Sequence, residues 1–250
     1  GWAVSDSIVM TRRNLLQIFR QPQLIVFALV QPVVFTLLFA FVFGGAIPTG
    51  PVDYIDYLIP GIIIQTVIFA ATNTTVGLTD DLSKGMIDRF RSLPMSRGAV
   101  LAGRTLADAL RSVVTMAMII GVGLLIGFRP DGGVLGVIGG VLIAFSFGYA
   151  FTWISALIGL LVKSPETAQV AGFIWIFPLV FASSIFVPVQ TIEVAWLKTF
   201  AENSPITVIA DASRAAFSGQ AVQDPLLVVA WIAAIMAIFM PLAIRQYSRT

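Results

Sequence analysis

The chain contains six long apolar stretches, and they constrain its fold more than any other feature of the sequence. They lie at residues 24–43, 57–79, 108–128, 134–162, 167–187 and 225–244. A helix needs roughly 20 apolar residues to cross a bilayer core about 30 Å thick. The stretches are continuously apolar and do not alternate as the strands of a membrane barrel do. We therefore predict an all-α integral membrane protein with six transmembrane helices.

The composition indicates that lipid is the solvent for much of this chain. Hydrophobic residues make up 58% of the 250 residues and charged residues only 11%, whereas soluble domains are about one quarter charged. The absence of cysteine and histidine excludes disulfides, Cys/His zinc sites and histidine-based acid–base chemistry. The sequence also lacks the Gly-x-x-x-x-Gly-Lys-Ser/Thr motif of a phosphate-binding loop. We expect this chain to be no enzyme, to hold no metal or cofactor, and to bind no nucleic acid.

The basic residues predict which ends of the helices face the cytoplasm. Six helices place both termini on one side, and twelve of the fifteen Lys and Arg residues fall on that side. The opposite side keeps Arg129, Lys198 and Arg214. Because basic loops are retained in the cytoplasm, we expect a multi-pass protein of the plasma membrane with both termini cytoplasmic.

The N-terminal segment, residues 1–23, is predicted to be an amphipathic helix that lies along the inner membrane surface. Its arginines Arg12, Arg13 and Arg20 would face the lipid phosphates. A disordered basic tail is the alternative.

The connection between the second and third spans, residues 80–107, carries a second amphipathic pattern. Leu82, Met86 and Phe90 recur every four residues, which predicts a short helix with one apolar face. Pro94 ends that helix, because the residue before a proline is disfavoured in helical geometry. Such a helix suits docking into a groove of a soluble partner, or it lies on the membrane surface.

The segment between the fifth and sixth spans, residues 188–220, is predicted to be a re-entrant helical hairpin in the outer leaflet. Pro188 breaks the fifth span, after which Ile192, Trp196 and Phe200 recur at helical spacing. A second short, half-apolar helix follows Pro205. A small external cap is the alternative.

Polar residues within the spans are few, and they carry amide or hydroxyl groups. No ionisable group is expected in the middle of the membrane, which counts against ion-coupled transport. Side chains that would line a substrate path, if they are not helix–helix contacts, are Gln31, Gln65, Asn73, Thr152 and Ser183. Gly-x-x-x-Gly pairs beginning at residues 123, 132 and 136 indicate close helix packing.

Together these features resemble the permease subunits of type-2 ATP-binding-cassette exporters. The local match is residues 84–97, KGMIDRFRSLPMSR, which is similar to the Gly-x-(Ile/Leu)-x-Arg-(x)2–4-Leu-Pro-x-Ser/Thr stretch of the daunorubicin-resistance permeases. Residues 203–207, NSPIT, followed by Asp211 and Arg214, resemble the family's Asn-Pro-(Leu/Ile)-Thr segment, with a serine inserted before the proline.

The resemblance implies a complex in which this chain is one part. Two permeases, as a homodimer or a heterodimer, would bind two copies of a separate ATPase that holds ATP and Mg²⁺. The cargo would be an amphipathic drug, lipid or glycolipid, moved out of the cytoplasm or the inner leaflet. By the family pattern, the residues that contact the ATPase would be Asp88, Arg89, Phe90, Arg91, Leu93 and Pro94.

Two other classes of protein have the same outline. A lipid-modifying membrane enzyme would need a cluster of ionisable or nucleophilic side chains near the interface, and the sequence shows isolated Asp and Arg residues instead. A membrane scaffold or lipid-handling assembly protein without transport activity stays as the alternative to an exporter.

Overall fold

The computed structural model describes residues 22–84 and 97–249, and it is helical over most of that length. The helices are α1 (Pro22–Leu38, continued by a π-helical turn Phe39–Phe43), α2 (Tyr54–Ser83), α3 (Arg97–Ile126), α4 (Gly133–Leu161), α5 (Pro165–Phe181), α6 (Ala195–Glu202), α7 (Pro205–Phe217) and α8 (Pro225–Arg249). No strand occurs in the described ranges, as predicted for an all-α protein. The N-terminal segment before Pro22 lies outside the described residues.

Four helices are long and apolar enough to cross a membrane. They are α2, α4, the part of α3 from Thr105 to Ile126, and the part of α8 from Pro225 to Tyr247. Two further apolar helical stretches are shorter, at Val30–Phe43 and Pro165–Phe181. All six coincide with apolar stretches predicted from the sequence.

Helix α2 is the centre of the bundle. In its most apolar stretch 78% of the residues are buried, against 17% in α8, so α2 is enclosed by protein while α8 faces outward. It packs against α3, α4, α5 and α7. The largest fully buried side chains around it include Leu58, Ile62, Met116, Phe147 and Phe217.

The bundle has two ends that differ in structure. At one end α2, α4 and α8 begin, α3 and α5 end, and α7 packs between α2 and α4; we call this the hairpin end. At the other end α2 stops at Ser83 and α3 starts at Arg97, so the connection between them leaves from there; we call this the loop end. Helix α7 also contacts α8.

The helix boundaries differ from the predicted ones at two places. Helices α2 and α3 extend into both sides of the predicted connection 80–107, so that residues 84–96 separate them in the sequence. Helix α5 starts at Pro165, where the Ser164 hydroxyl accepts from the Thr167 amide at 3.2 Å, the usual arrangement of a helix cap. It ends at Phe181, six residues before the predicted 187, because side chains of other helices bind the backbone that follows.

Candidate functional site

A partly buried arginine on α7 is the most highly connected polar group in the described part of the chain. The Arg214 guanidinium donates to the Tyr57 carbonyl (Nε, 2.8 Å), the Ser184 hydroxyl (Nη1, 3.0 Å) and the Ile185 carbonyl (Nη2, 3.1 Å). It also donates at 2.5 Å to the Ser184 carbonyl and to the Asp211 carboxylate. We call Arg214 and these four partners the Arg214 cluster. The group joins α2, α7 and the segment after α5.

The cluster compensates for the break in the chain after α5. Residues 182–188 leave the helix, so their carbonyl groups lack the partners that a continuing helix would supply. The hydroxyls of Tyr57 and Tyr54 donate to the carbonyls of Ser184 (2.5 Å) and Phe186 (3.1 Å), and Arg214 takes the carbonyl of Ile185. Irregular backbone at membrane depth is tolerated only where protein groups satisfy it in this way.

The guanidinium is largely covered by neighbouring groups of the protein. Its side chain is 12% exposed, whereas that of Asp211 is 56% exposed. The carbon of the guanidinium also lies 3.8 Å from the centre of the Tyr57 ring, a cation–π contact. Gly61, which borders the cluster, is seven residues beyond the start of α2, or about 10 Å along a helix that rises 1.5 Å per residue.

Glycines allow the elements of this region to approach closely. A side chain at Gly61 would place its Cβ 2.3 Å from the Ile185 carbonyl oxygen and 3.0 Å from Arg214 Nη2. On α4, a Cβ at Gly136 would lie 2.4 Å from the Ala216 carbonyl oxygen. The predicted close packing at the Gly-x-x-x-Gly pairs of α4 is therefore confirmed, and its partner is α7.

The loop end carries a smaller polar cluster between α2 and α3. The Thr74 hydroxyl donates to the Asp108 carboxylate at 2.7 Å, and Asp108 lies 3.8 Å from Arg111 Nη2. That nitrogen is buried and has no hydrogen-bond acceptor among the described residues. Both ionisable residues lie in the first two turns of the apolar part of α3, so they sit near one end of the span.

Two hydroxyls of α2 bind the backbone of α4 near the same end. Thr75 donates to the Ser155 carbonyl at 2.9 Å and Thr79 donates to the Gly159 carbonyl at 2.8 Å. The helices meet closely here, since a Cβ at Gly159 would lie 2.6 Å from the Thr75 carbonyl oxygen. Each contact is a single hydrogen bond between two continuous helices.

A row of phenylalanines joins α1 to the segment after α5. The Phe39 and Phe186 rings stack with centroids 4.3 Å apart, and the Phe181 ring lies 4.9 Å from that of Phe186. The row continues on both sides through Phe35, Phe43 and Phe177. Phe43, Phe177 and Phe181 are each at least 40% exposed, so the row reaches the surface of the bundle.

Most residues predicted to carry function lie outside the described part of the chain. These are the six of the connection, Asp88, Arg89, Phe90, Arg91, Leu93 and Pro94, and the three arginines Arg12, Arg13 and Arg20. The described residues nearest to the connection are Lys84, whose ammonium lies 2.6 Å from the Asp80 carboxylate, and Arg97 at the start of α3.

The residues predicted to line a path differ in their exposure. Gln65, Thr152 and Ser183 are each at most 3% exposed and lie within the bundle. Thr152 and Ser183 donate to carbonyls of Tyr149 and Val180, three residues earlier. Gln31 and Asn73 are exposed, on α1 and α2 respectively.

Sequence reasoning missed the Arg214 cluster as a site. It counted Arg214 among the basic residues of the outer side and, with Asp211, in the family-like segment, but gave the two residues no joint role. They stand three apart on a half-apolar helix, where side chains of opposite charge pair. Among the described residues no group of three or more Asp or Glu side chains is arranged to hold a metal ion. The cluster is thus built of backbone carbonyls, hydroxyls and one ion pair, which fix geometry rather than perform a reaction.

Comparisons with known proteins identify similar chains over nearly the whole length. Residues 6–218 match the family model for the ABC-2 type transporter. The chain is 36% identical to a daunorubicin resistance ABC transporter permease protein of Streptomyces coeruleorubidus, covering 98% of this chain and 87% of that protein. It is 26% identical to a probable doxorubicin resistance ABC transporter permease protein of Mycobacterium tuberculosis, covering 96% and 88%. A putative transport permease of Cyanophora paradoxa is 22% identical, covering 86% and 75%.

Proposed function

The chain belongs to the ABC-2 type transporter family, and from that membership we propose that it is the permease of an ATP-driven exporter for an amphipathic, hydrophobic compound. Two permeases would bind two copies of a separate ATPase, which holds ATP and Mg²⁺. The ATPase would act on this chain through the connection between α2 and α3.

The observation that carries this proposal is the length of α2 and α3. Each helix has 30 residues and is therefore about 45 Å long, while the apolar core of a bilayer is about 30 Å thick. The apolar part of α3 begins only at Thr105, eight residues after the helix starts. Both helices are thus longer than the apolar layer, and their loop ends would project toward the side from which a soluble motor acts.

The charges support a cytoplasmic loop end. Four basic residues follow or end helices there: Lys84, Lys163, Arg245 and Arg249. The sequence between α2 and α3 adds further basic residues. The positive-inside rule then places both termini in the cytoplasm, where the ATPase is.

We infer six spans from the lengths of the two shorter apolar helices. The helix from Pro22 continues through its π turn to Phe43, which makes 22 residues and about 33 Å. Helix α5 has 17 residues, or about 25 Å. The segment 182–188 follows it, with carbonyls that accept hydrogen bonds from α2 and α7, and adds to this length. Either length suits a crossing of the bilayer with modest adjustment of the lipid.

The exposed surface of the described helices favours an amphipathic compound as the cargo. The exposed faces of α1 and α5 offer it apolar side chains and the phenylalanine row, and the described spans contain no acidic or basic side chain that is both central and exposed. Hydrophobic substrates bind mainly through such apolar and aromatic contacts. The relatives named for daunorubicin and doxorubicin resistance are consistent with cargo of this class.

Purification tests the proposal directly. The chain, isolated from its native membrane, should carry a P-loop ATPase in a ratio of one to one, and daunorubicin should stimulate ATP hydrolysis by the complex. Leu93→Asp should abolish the stimulation while the chain still inserts, because it places a charge on the proposed docking face. The matched control is Val194→Asp, an equivalent change at a position that is 48% exposed at the hairpin end. An ATPase that never accompanies an intact chain would favour a membrane scaffold instead.

The cysteine-free sequence allows a simple test of orientation. A single cysteine at the exposed position Ser83 should react with an impermeant maleimide only from the cytoplasm. One at the exposed position Ala46 should react only from outside. The reverse pattern of labelling would contradict the proposed topology.

A further inference from the structure

We propose that Arg214 is a positioning residue that clamps α7 to α2 and to the segment after α5, so that α7 stays seated in the bundle while the permease changes its access. This inference rests on the proposed function, since it assigns a role within transport. It predicts that the hairpin end opens without a swing of α7 away from the spans.

The first argument is the geometry of the guanidinium. Its five donors have fixed directions, and three of the acceptors are backbone carbonyls, those of Tyr57, Ser184 and Ile185. Backbone carbonyls cannot rotate away as side chains do, so a movement of α7 by a few ångströms breaks several bonds together. The clamp therefore has one seated geometry.

The second argument is the state that a moved α7 would leave behind. The carbonyl of Ile185 would lose the Arg214 donor and that of Ser184 would keep only the Tyr57 hydroxyl, while Arg214 would keep only the half-exposed carboxylate of Asp211. Unpaired carbonyls and a poorly paired cation are both unfavourable at membrane depth. A gating movement therefore costs less free energy in a region where it leaves fewer carbonyls and charges without hydrogen-bond partners.

The third argument is that contacts independent of Arg214 hold the same elements. The Ser184 amide donates to the Thr207 hydroxyl at 3.0 Å, which ties α7 to the segment a second time. On its other side α7 lies against the glycines of α4, where the Gly132 amide donates to the Phe217 carbonyl at 2.9 Å. Two faces of α7 are therefore fixed.

Helix α6 differs from α7 in this respect. Trp196 is 72% exposed and Phe200 is 45% exposed. The Thr199 hydroxyl and the Asn203 amide donate to the carbonyls of Ala195 and Thr199, which lie within α6 itself. We infer that any movement within the hairpin belongs to α6, with the turn at Asn203 and Ser204 as its hinge.

A disulfide tests whether α7 must move. A Cβ at Gly139 would lie 3.6 Å from the Cβ of Ala216, with nothing else among the described residues within 4 Å, and this is within the usual range for a disulfide. The Gly139→Cys, Ala216→Cys chain, in proteoliposomes with the ATPase that purifies with it, should transport daunorubicin equally well oxidised and reduced. Loss of transport on oxidation and its return with reductant would overturn the proposal.

The same disulfide distinguishes positioning from contact with cargo. Arg214→Gln should lose most of its transport, and the oxidised Gly139→Cys, Ala216→Cys pair should restore it, because a covalent link to α4 keeps α7 seated without the Arg214 contacts. If Arg214→Gln inserts correctly and oxidation restores no transport, Arg214 does not act as a clamp. If Arg214→Gln does not insert, the same test is made with Arg214→Lys.

Spin-label distances give a readout that does not require the correct cargo. Labels on Ser218→Cys and Gln190→Cys, both at exposed positions, report on α7 relative to the segment after α5. Their distance distribution should be the same without nucleotide and with ATP and vanadate, and a new population at longer distance would overturn the inference. Failure of the unmodified chain to transport any tested compound, with an unchanged distance, would count against the proposed function and leave the clamp supported.

Discussion

The two ends of the bundle hold their polar groups in different ways. At the hairpin end a single guanidinium makes five hydrogen bonds that join α2, α7 and the segment after α5. At the loop end α2 contacts α3 and α4 through single threonine hydroxyls, one each from Thr74, Thr75 and Thr79. The first arrangement has one geometry, whereas a hydroxyl can find another backbone carbonyl after a small shift.

This difference indicates where the bundle can change shape. Continuous helices slide or tilt against each other by one to two ångströms in many conformational transitions, and single hydroxyl bonds allow such shifts. The loop end also contains a buried Arg111 nitrogen without an acceptor among the described residues, so its polar groups are less completely paired. We expect force from the connection to move the loop ends of α2 and α3 while the hairpin end transmits that movement as a unit.

Removal of the clamp should produce the largest effect and would break the comparison most directly. Arg214→Gln should lower the free energy of unfolding by about 3 kcal/mol, because buried carbonyls lose their partners. Arg214→Lys should recover part of this loss, since a single ammonium cannot reach all the acceptors. Unfolding in mixed detergent micelles measures both. The control is Arg129→Gln, an exposed residue whose side chain binds the Phe128 carbonyl, and an equal loss there would contradict the clamp.

The close contact between Gly61 and the segment after α5 should give the second largest loss of stability when it is altered. Gly61→Ala would bring a Cβ to 2.3 Å from the Ile185 carbonyl oxygen and should cost about 1–3 kcal/mol of stability through overpacking. Gly121→Ala is the matched control on α3, because beyond the adjoining backbone of its own helix no described atom lies within 4 Å of its Cβ. It should be neutral or should stabilise by up to about 1 kcal/mol, since alanine favours helix over glycine. Similar losses in the two variants would remove the argument from close packing.

A hydroxyl at the loop end should matter less than the clamp. Thr74→Val removes the bond to Asp108 and should cost about 1 kcal/mol. Thr66→Val is the control, because the Thr66 hydroxyl binds the Ile62 carbonyl of its own helix at 2.7 Å. In combination with Asp108→Asn, a double-mutant cycle measures how strongly α2 and α3 are coupled here. A coupling as large as the effect of Arg214→Gln would mean that both ends are rigid.

The smallest effect is expected at the exposed end of α2. Lys84 and Asp80 form an ion pair with side chains that are 61% and 39% exposed, so Lys84→Gln should change stability by less than about 0.5 kcal/mol. Any larger effect on ATP hydrolysis by the complex would then report on the neighbouring connection rather than on folding. The two measurements on one variant separate these contributions.

Much of the helical architecture could be predicted because its cause is local. Continuous apolar stretches specify helices in lipid, and each of the six corresponds to a helix in the structure. Prolines and serines specify helix starts, as at Ser204, whose hydroxyl accepts from the Ile206 amide. The end of α5 at Phe181 was not predictable from Pro178 or Pro188, because it depends on side chains that satisfy the released carbonyls from other helices.

The candidate site depended much more on long-range contacts. Arg214 and Tyr57 are 157 residues apart in the chain, and no periodicity relates them. In the same way Gln65 and Asn73 look alike in the sequence of one apolar helix, yet Gln65 is 2% exposed and Asn73 is exposed. Which face of α2 meets protein is decided by its neighbours.

The sequence by itself determined that the chain is helical and apolar, where its helices run, and which family it resembles, because these follow from composition, local spacing and a continuous motif. Only the tertiary structure decided that a basic residue of the hairpin joins α7 to α2 and to the segment after α5, and that the α4 glycines lie against α7. The physical reason is that a charge or a glycine has no fixed role until the distances to its partners are set, and the packing of α2, α5 and α7 sets those distances.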